Sequence, residues 1–252
     1  MTVTSTSKPG LARVAPLCVS GTFDGGGIVT DPEPEALGEL VMGGQVVVVS
    51  GVLGSYADEL LALRRQVFEW GQSTPPQSSP DPTANSHCQQ AGVSPRQGTP
   101  HVYHSYNLNR ISQLPADLRR RLLHFYEPLA AFQNSLTGNS GRLEAFDDEA
   151  TLRPQLIQYP LGGGLFGRHI HPLEPQRIGM IVALSRRGVD FARGGTCFAP
   201  DDSIVDIEPH HDLGDIALFR FDIPHWVNPS DFADNFDWDS EAGRWSMVLP
   251  YH

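Results

Sequence analysis

The sequence predicts an α+β domain that is mainly β, with an antiparallel sandwich or barrel in its C-terminal half and helices from the N-terminal half bracing it. Two observations lead there. From Pro154 onward the chain breaks into short apolar runs punctuated by Gly and Asp, the texture of short strands joined by turns. Before Pro154, apolar residues recur at helical spacing in two separate segments. No internal repeat is visible.

A length of 252 residues suits one domain with elaborations and a proper buried core. The formal net charge of −11, from 18 basic and 29 acidic residues, argues against a nucleic-acid partner, which needs a concentrated basic face. It argues equally against anionic membrane surfaces. No apolar run is long enough for a membrane-spanning helix. Residues 1–30 lack the apolar block of a secretory signal and read as a flexible arm ahead of a single domain over 31–252. Cys18, Cys88 and Cys197 are widely spaced and form no CxxC pair. A disulfide framework and a structural zinc site are therefore not expected, and a cytoplasmic location is.

The elements follow in order. Residues 45–50 (QVVVVS) are a β-branched run between Gly44 and Gly51, the mark of a buried strand. Ser55 with Asp58 has capping-box spacing and opens a helix whose apolar face is Leu60, Leu63, Val67 and Phe68. Residues 71–100 hold neither a helical nor a strand period, and read either as a mobile cover over a site or as simple disorder. Residues 101–110 (HVYHSYNLNR) mix aromatic and hydrogen-bonding groups. His101, Tyr103, His104 and Asn107 are candidates to line a substrate pocket, the alternative being an edge strand with polar decoration. Residues 115–136 return to helical period through Leu118, Leu122, Phe125, Leu129 and Phe132, with Pro128 expected to kink or split the helix. Strands are then predicted over 155–159, 178–185, 195–198, 203–207, 215–221 and 244–251.

The densest chemistry lies in Tyr159-Pro-Leu-Gly-Gly-Gly-Leu-Phe-Gly-Arg-His169-Ile-His171. Two histidines at i and i+2 on a strand project from one face, so both imidazoles can reach one metal ion. An isolated pair of this kind also suits a solvated sheet face. A second segment, Gly214 to Pro229, is a Gly-Asp turn, an apolar strand and then His225. A third places Arg244 at the start of the last strand, where Arg244, Ser246 and Val248 share a face. Trp226 and Trp245 read as packing residues. His210-His211-Asp212 reads as a solvated loop, and His87 and Cys88 carry no assigned role.

With these motifs in place, residues 154–251 resemble the core of the iron(II)/2-oxoglutarate-dependent dioxygenases, in particular the prolyl-hydroxylase-like branch. The resemblance implies a double-stranded β-helix, a jelly-roll and cupin-like core. It implies ferrous iron held by His169 and His225, with O₂ and 2-oxoglutarate as co-substrates. Arg244 would pair with the far carboxylate of the keto-acid, since a guanidinium binds a carboxylate bidentately, with Tyr159 and Ser246 adding hydrogen bonds. Gly194-Gly195 falls where that family has a Gly-Gly turn. The chain departs from the pattern at His171, which stands where the family has Asp, so the ligand set is His169, His171 and His225 or a set completed by Glu174. The implied activity is oxidation of a small molecule, an amino acid or specialised metabolite. Two other readings stay open: a cupin-type three-histidine iron dioxygenase without 2-oxoglutarate, in which Arg244 grips a substrate carboxylate, and a non-catalytic metal-binding barrel. The sequence carries no reading of oligomeric state.

Overall fold

The structure is a computed structural model that describes residues 12–94, 98–145 and 151–251. Its helices are α1 (Pro34–Met42), α2 (Ala57–Gln72) and α3 (Ala116–Thr137). Its strands are β1 (Ala12–Val14), β2 (Leu17–Phe23), β3 (Ile28–Asp31), β4 (Val47–Ser50), β5 (Asn85–Val93), β6 (Pro100–Leu108), β7 (Arg142–Leu143), β8 (Thr151–Leu152), β9 (Gln155–Pro160), β10 (Gly164–His169), β11 (Ile178–Ala183), β12 (Gly195–Phe198), β13 (Ser203–Asp206), β14 (Ile216–Arg220), β15 (His225–Ser230) and β16 (Gly243–Val248). The predicted C-terminal strands are all present, most of them one or two residues shorter.

All but β7 and β8 join one hydrogen-bonded path, β1-β13-β12-β15-β10-β6-β9-β16-β11-β14-β4-β2-β3, with β5 added to β6. Pairing is antiparallel throughout β13 to β4 and parallel where β1 meets β13 and where β2 meets β4. Because β15 and β10 line the same cavity as β11 and β9, the path folds over on itself into two facing layers.

Strand alternation sorts side chains between two apolar clusters. On β16, Trp245 and Met247 face outward into a large cluster with Leu60, Leu63 and Val67 of α2 and Leu122, Phe125 and Leu129 of α3. On β14, Ala217 and Phe219 face inward and join Val48, Phe198, Val205 and Ile223 in a smaller cluster. Burying each such side chain contributes about 1.5–3 kcal/mol, so the helices are held mainly by this contact rather than by their own propensity.

Several expectations need correction. The stretch 12–30 is not a loose arm: β1, β2 and β3 are part of the sheet, and residues 1–11 of that predicted arm lie outside the described residues. The irregular stretch 71–100 contains β5, whose polar sequence NSHCQQAGV hides its strand character but whose backbone pairs with β6 along its full length. Strand β6 is accordingly interior, between β5, β9 and β10, and not an edge. Helix α2 begins at Ala57 after a short 3₁₀ turn, without a side-chain cap from Ser55. Helix α3 is not split; it continues through Pro128. The buried face of α3 outweighs a proline cost of ~3 kcal/mol, since several side chains of that face each return a comparable amount.

Helix α1 was not foreseen. It is short, starts with Pro34 and buries Leu37, Gly38 and Val41. Gly38 lets α1 lie directly on α3, because a Cβ there would sit 2.2 Å from the Leu136 carbonyl oxygen. Among the described residues, no helix is long and apolar enough to cross a membrane.

Candidate metal centre

The pairing of β10 with β15 sets His169 directly opposite His225, one at the end of its strand and the other at the start. His171 lies beyond the end of β10, so the predicted shared strand face extends only to His169. The ring nevertheless turns in, and one nitrogen from each of His169, His171 and His225 lies within 4.8 Å of the others. The ring centroids of His169 and His225 are 4.1 Å apart.

The backbone chooses the tautomer of two of these rings. His169 Nδ1 lies 2.9 Å from the Gly167 carbonyl oxygen, and His225 Nδ1 lies 2.9 Å from that of Ile223. A carbonyl can only accept, so each Nδ1 carries the proton and each Nε2 offers a lone pair. His171 is stacked on Phe221 at 4.4 Å with the planes 8° apart. Burial lowers the pKa of His169, and burial with the neighbouring His169 takes His171 down to about 4. His225 is held well below the ordinary imidazole range, again chiefly by burial. All three are neutral donors at neutral pH, the form a metal ion requires.

Glu174 is not part of this cluster. Its side chain is 72% exposed and faces Arg177 at 3.6 Å, carried outward by the turn that follows Pro172. The alternative ligand set built on Glu174 is therefore not assembled.

Beside the histidines is a cavity of about 290 Å³. Phe166, Met180, Ile181, Phe219, Phe221 and Val227 give it an apolar wall, and Tyr103, Asn107, Tyr159 and Thr196 supply polar groups. Of the predicted pocket residues, Tyr103 and Asn107 are in the wall. His101 packs against Phe166 and Tyr103 but is not in the wall, among the described residues. His104 lies on the opposite face of β6, because side chains alternate there. Its Nε2 lies 2.7 Å from His87 Nδ1, its Nδ1 lies 3.0 Å from the Tyr106 hydroxyl, and His87 Nε2 reaches the Thr74 carbonyl. Since Thr74 can only accept, His87 Nε2 donates to it, and the Tyr106 hydroxyl, His104, His87 and Thr74 form one hydrogen-bonded chain. The segment before β5 reaches the cavity through Pro80.

Arg244 and Ser246 share the inward face of β16 as predicted, and both are buried. Neither is in the cavity wall, whereas Tyr159 is. The Arg244 guanidinium is already engaged: Nε donates to Glu208 Oε1 at 2.6 Å and Nη2 to the Thr196 hydroxyl at 2.7 Å. Its centre lies 5.7 Å from the Tyr159 ring, and burial raises the Tyr159 pKa. The same Glu208 oxygen accepts from the Thr196 backbone N–H at 3.0 Å.

Glu208 has no counterpart in the sequence reading. It follows β13 in a short 3₁₀ turn, in a segment, Glu-Pro-His-His-Asp, whose composition suggests solvent. Its neighbour His211 is likewise buried, with Nε2 within 3.2 Å of the Ile181 carbonyl and 3.1 Å of the Asp215 carbonyl.

No protein-family model and no curated protein sequence matches the chain. Solved structures do. A prolyl hydroxylase from Trichoplax adhaerens, in complex with a hypoxia-inducible-factor peptide, superposes with a TM-score of 0.52 at 17% identity, over 86% of this chain and 90% of that one. The fold is that of the iron(II)/2-oxoglutarate oxygenases. A Pseudomonas putida prolyl-4-hydroxylase matches at a TM-score of 0.50 and 16% identity, covering 86% of this chain and 97% of its own. SnoN, a non-haem α-ketoglutarate-dependent epimerase of nogalamycin biosynthesis, matches at 0.51 and 15%, covering 86% and 83%. The expected double-stranded β-helix fold is thus present, prolyl hydroxylases are among the structures that share it, and within it lies a cluster of three histidines.

Proposed function

We propose that this protein is a non-haem iron(II) oxygenase that oxidises a small organic molecule held in the cavity beside His169, His171 and His225. The observation that carries the proposal is the convergence of three neutral imidazoles on one point inside an oxygenase fold. Imidazole nitrogens suit ferrous iron, and three of them on one side would leave coordination positions for other ligands. Iron bound there would supply the activation of O₂.

The chain's own residues set the conditions for that chemistry. The Gly167 and Ile223 carbonyls aim two of the donors. Phe166, Phe219 and Phe221 give the cluster apolar surroundings. A volume of about 290 Å³ is small beside the roughly 300–1,000 Å³ common for ligand pockets, so the substrate is a small molecule with a mostly apolar body. Tyr103 and Asn107 are its candidate hydrogen-bonding partners.

The keto-acid fits less well than the metal. The resemblance assigns its far carboxylate to Arg244, with Tyr159 and Ser246, yet Glu208 already holds that guanidinium. The donor set fits iron; the carboxylate subsite is filled by the protein itself.

Anaerobic titration with ferrous iron, followed by desalting and metal analysis, tests the reading. The wild type is expected to retain iron, and His225→Ala is expected to lose it, since two remaining ligands leave the set incomplete. With iron in place, O₂ uptake that rises on addition of candidate small molecules separates an oxygenase from a metal-binding barrel without turnover. A wild-type protein that retains no iron would sink the proposal.

A further inference from the structure

We infer that Glu208 is a resident carboxylate that closes Arg244 to any dicarboxylate co-substrate, so that the site works without 2-oxoglutarate. The inference refines the iron-oxygenase reading but is tested separately from it.

The pair is built, not incidental. Both side chains are 3% exposed, and the Nε to Oε1 distance is 2.6 Å, a short charge-assisted hydrogen bond. The Thr196 N–H secures the same carboxylate oxygen, while the Thr196 hydroxyl takes Arg244 Nη2. Gly195 is required for this arrangement. Its φ is +118°, and a Cβ there would lie 1.8 Å from Glu208 Cγ, so the carboxylate arm passes through the space that a side chain at 195 would fill.

Charge makes the consequence definite. A buried guanidinium facing an organic acid needs one negative partner, and Glu208 provides it within the chain. A keto-acid reaching Arg244 would either bring a second carboxylate beside the first, which like charges oppose, or expel Glu208 into a buried position without its cation. Both are strongly unfavourable. The His171 departure points the same way, because the metal cluster also lacks the carboxylate that the keto-acid-dependent pattern includes. Without a keto-acid to be oxidised, all four electrons that reduce O₂ come from the organic substrate, and the two oxygen atoms end either in the oxidised product or, with four protons, as two molecules of water.

Calorimetric titration of 2-oxoglutarate into the metal-free and iron-loaded protein, under anaerobic conditions, is the test. The wild type is expected to show no saturable binding up to millimolar concentration in either form. Glu208→Ala frees the guanidinium and, in the metal-free protein, is expected to bind 2-oxoglutarate at least about tenfold more tightly, as a new charge-assisted pair provides. Adding Arg244→Ala to it should abolish that gain. Micromolar binding by the wild type would overturn the inference, and so would a gain that survives removal of Arg244. The wild-type titration decides even if Glu208→Ala does not fold. Failure of the wild type to hold iron would instead count against the oxygenase reading and leave the Arg244–Glu208 result standing.

Discussion

At the scale of single residues, the metal cluster depends on donors that are neutral and already aimed. His171→Asp is the informative substitution, because it restores the anionic ligand that the related pattern carries. The variant is expected to retain ferrous iron in the same titration, with the wild type's affinity or better, since an anion offsets the metal's charge. Complete loss of iron would mean that the stacking of His171 on Phe221 is what builds the site. His104 gives a separate pH prediction. Burial, then the adjacent His87, lowers its pKa from 6.5 to about 3. Between those values the unfolded chain binds the extra proton, so stability falls as pH drops from about 6.5 toward 3 and is unaffected above that window. Thermal melts across this range should show a steep decline that is shallower in His104→Gln. Of the site's residues, His169 and His225 were legible because they fall on strand ends that pair, while His171, also expected, reaches the cluster from beyond the end of β10. Glu208 was not, because an acidic residue next to proline in a polar turn looks solvated, and its partner is remote in sequence at Arg244.

Elements were legible where their apolar pattern was strong. Strands β4, β9, β11, β12, β13, β14 and β16 carry β-branched or alternating apolar residues, and α2 and α3 show long apolar faces, whereas β15 was read as the segment just beyond a strand. Strand β5 was missed because backbone pairing with β6, rather than its polar side chains, defines it. Strands β1 to β3 were missed because short, largely exposed strands on the sheet margin have little apolar signal. Helix α1 depends on its contact with α3 more than on its own nine residues. Gly38→Ala is therefore expected to destabilise the fold by about 1–3 kcal/mol, because the added methyl meets backbone rather than a movable side chain. Chemical denaturation would measure it, and a wild-type midpoint would contradict the close contact. Gly195→Ala should be costly too, and its signature is specific: it evicts Glu208 without removing it.

For the whole molecule, the continuous strand path ties both sides of the cavity into one hydrogen-bonded unit. Metal bound between β10 and β15 favours the folded chain over the unfolded one, so ferrous iron in hundredfold excess over its Kd should add about 2.7 kcal/mol and raise the Tm. The rise should vanish in His225→Ala. It should also shrink in acid, as His171, with its pKa of about 4, begins to compete for protons. The β-helix architecture and the convergence of His169, His171 and His225 could both be inferred before any coordinates. The chemistry of the neighbouring carboxylate subsite could not, because it depends on which groups three-dimensional folding places against Arg244.

The three imidazoles are not held in the same way. Main-chain carbonyls clamp His169 and His225, whereas His171 rests on an aromatic face just past the end of a strand. Were a metal held here, His169 and His225 would meet it as donors oriented by the main chain, and His171 as a donor oriented by an aromatic ring.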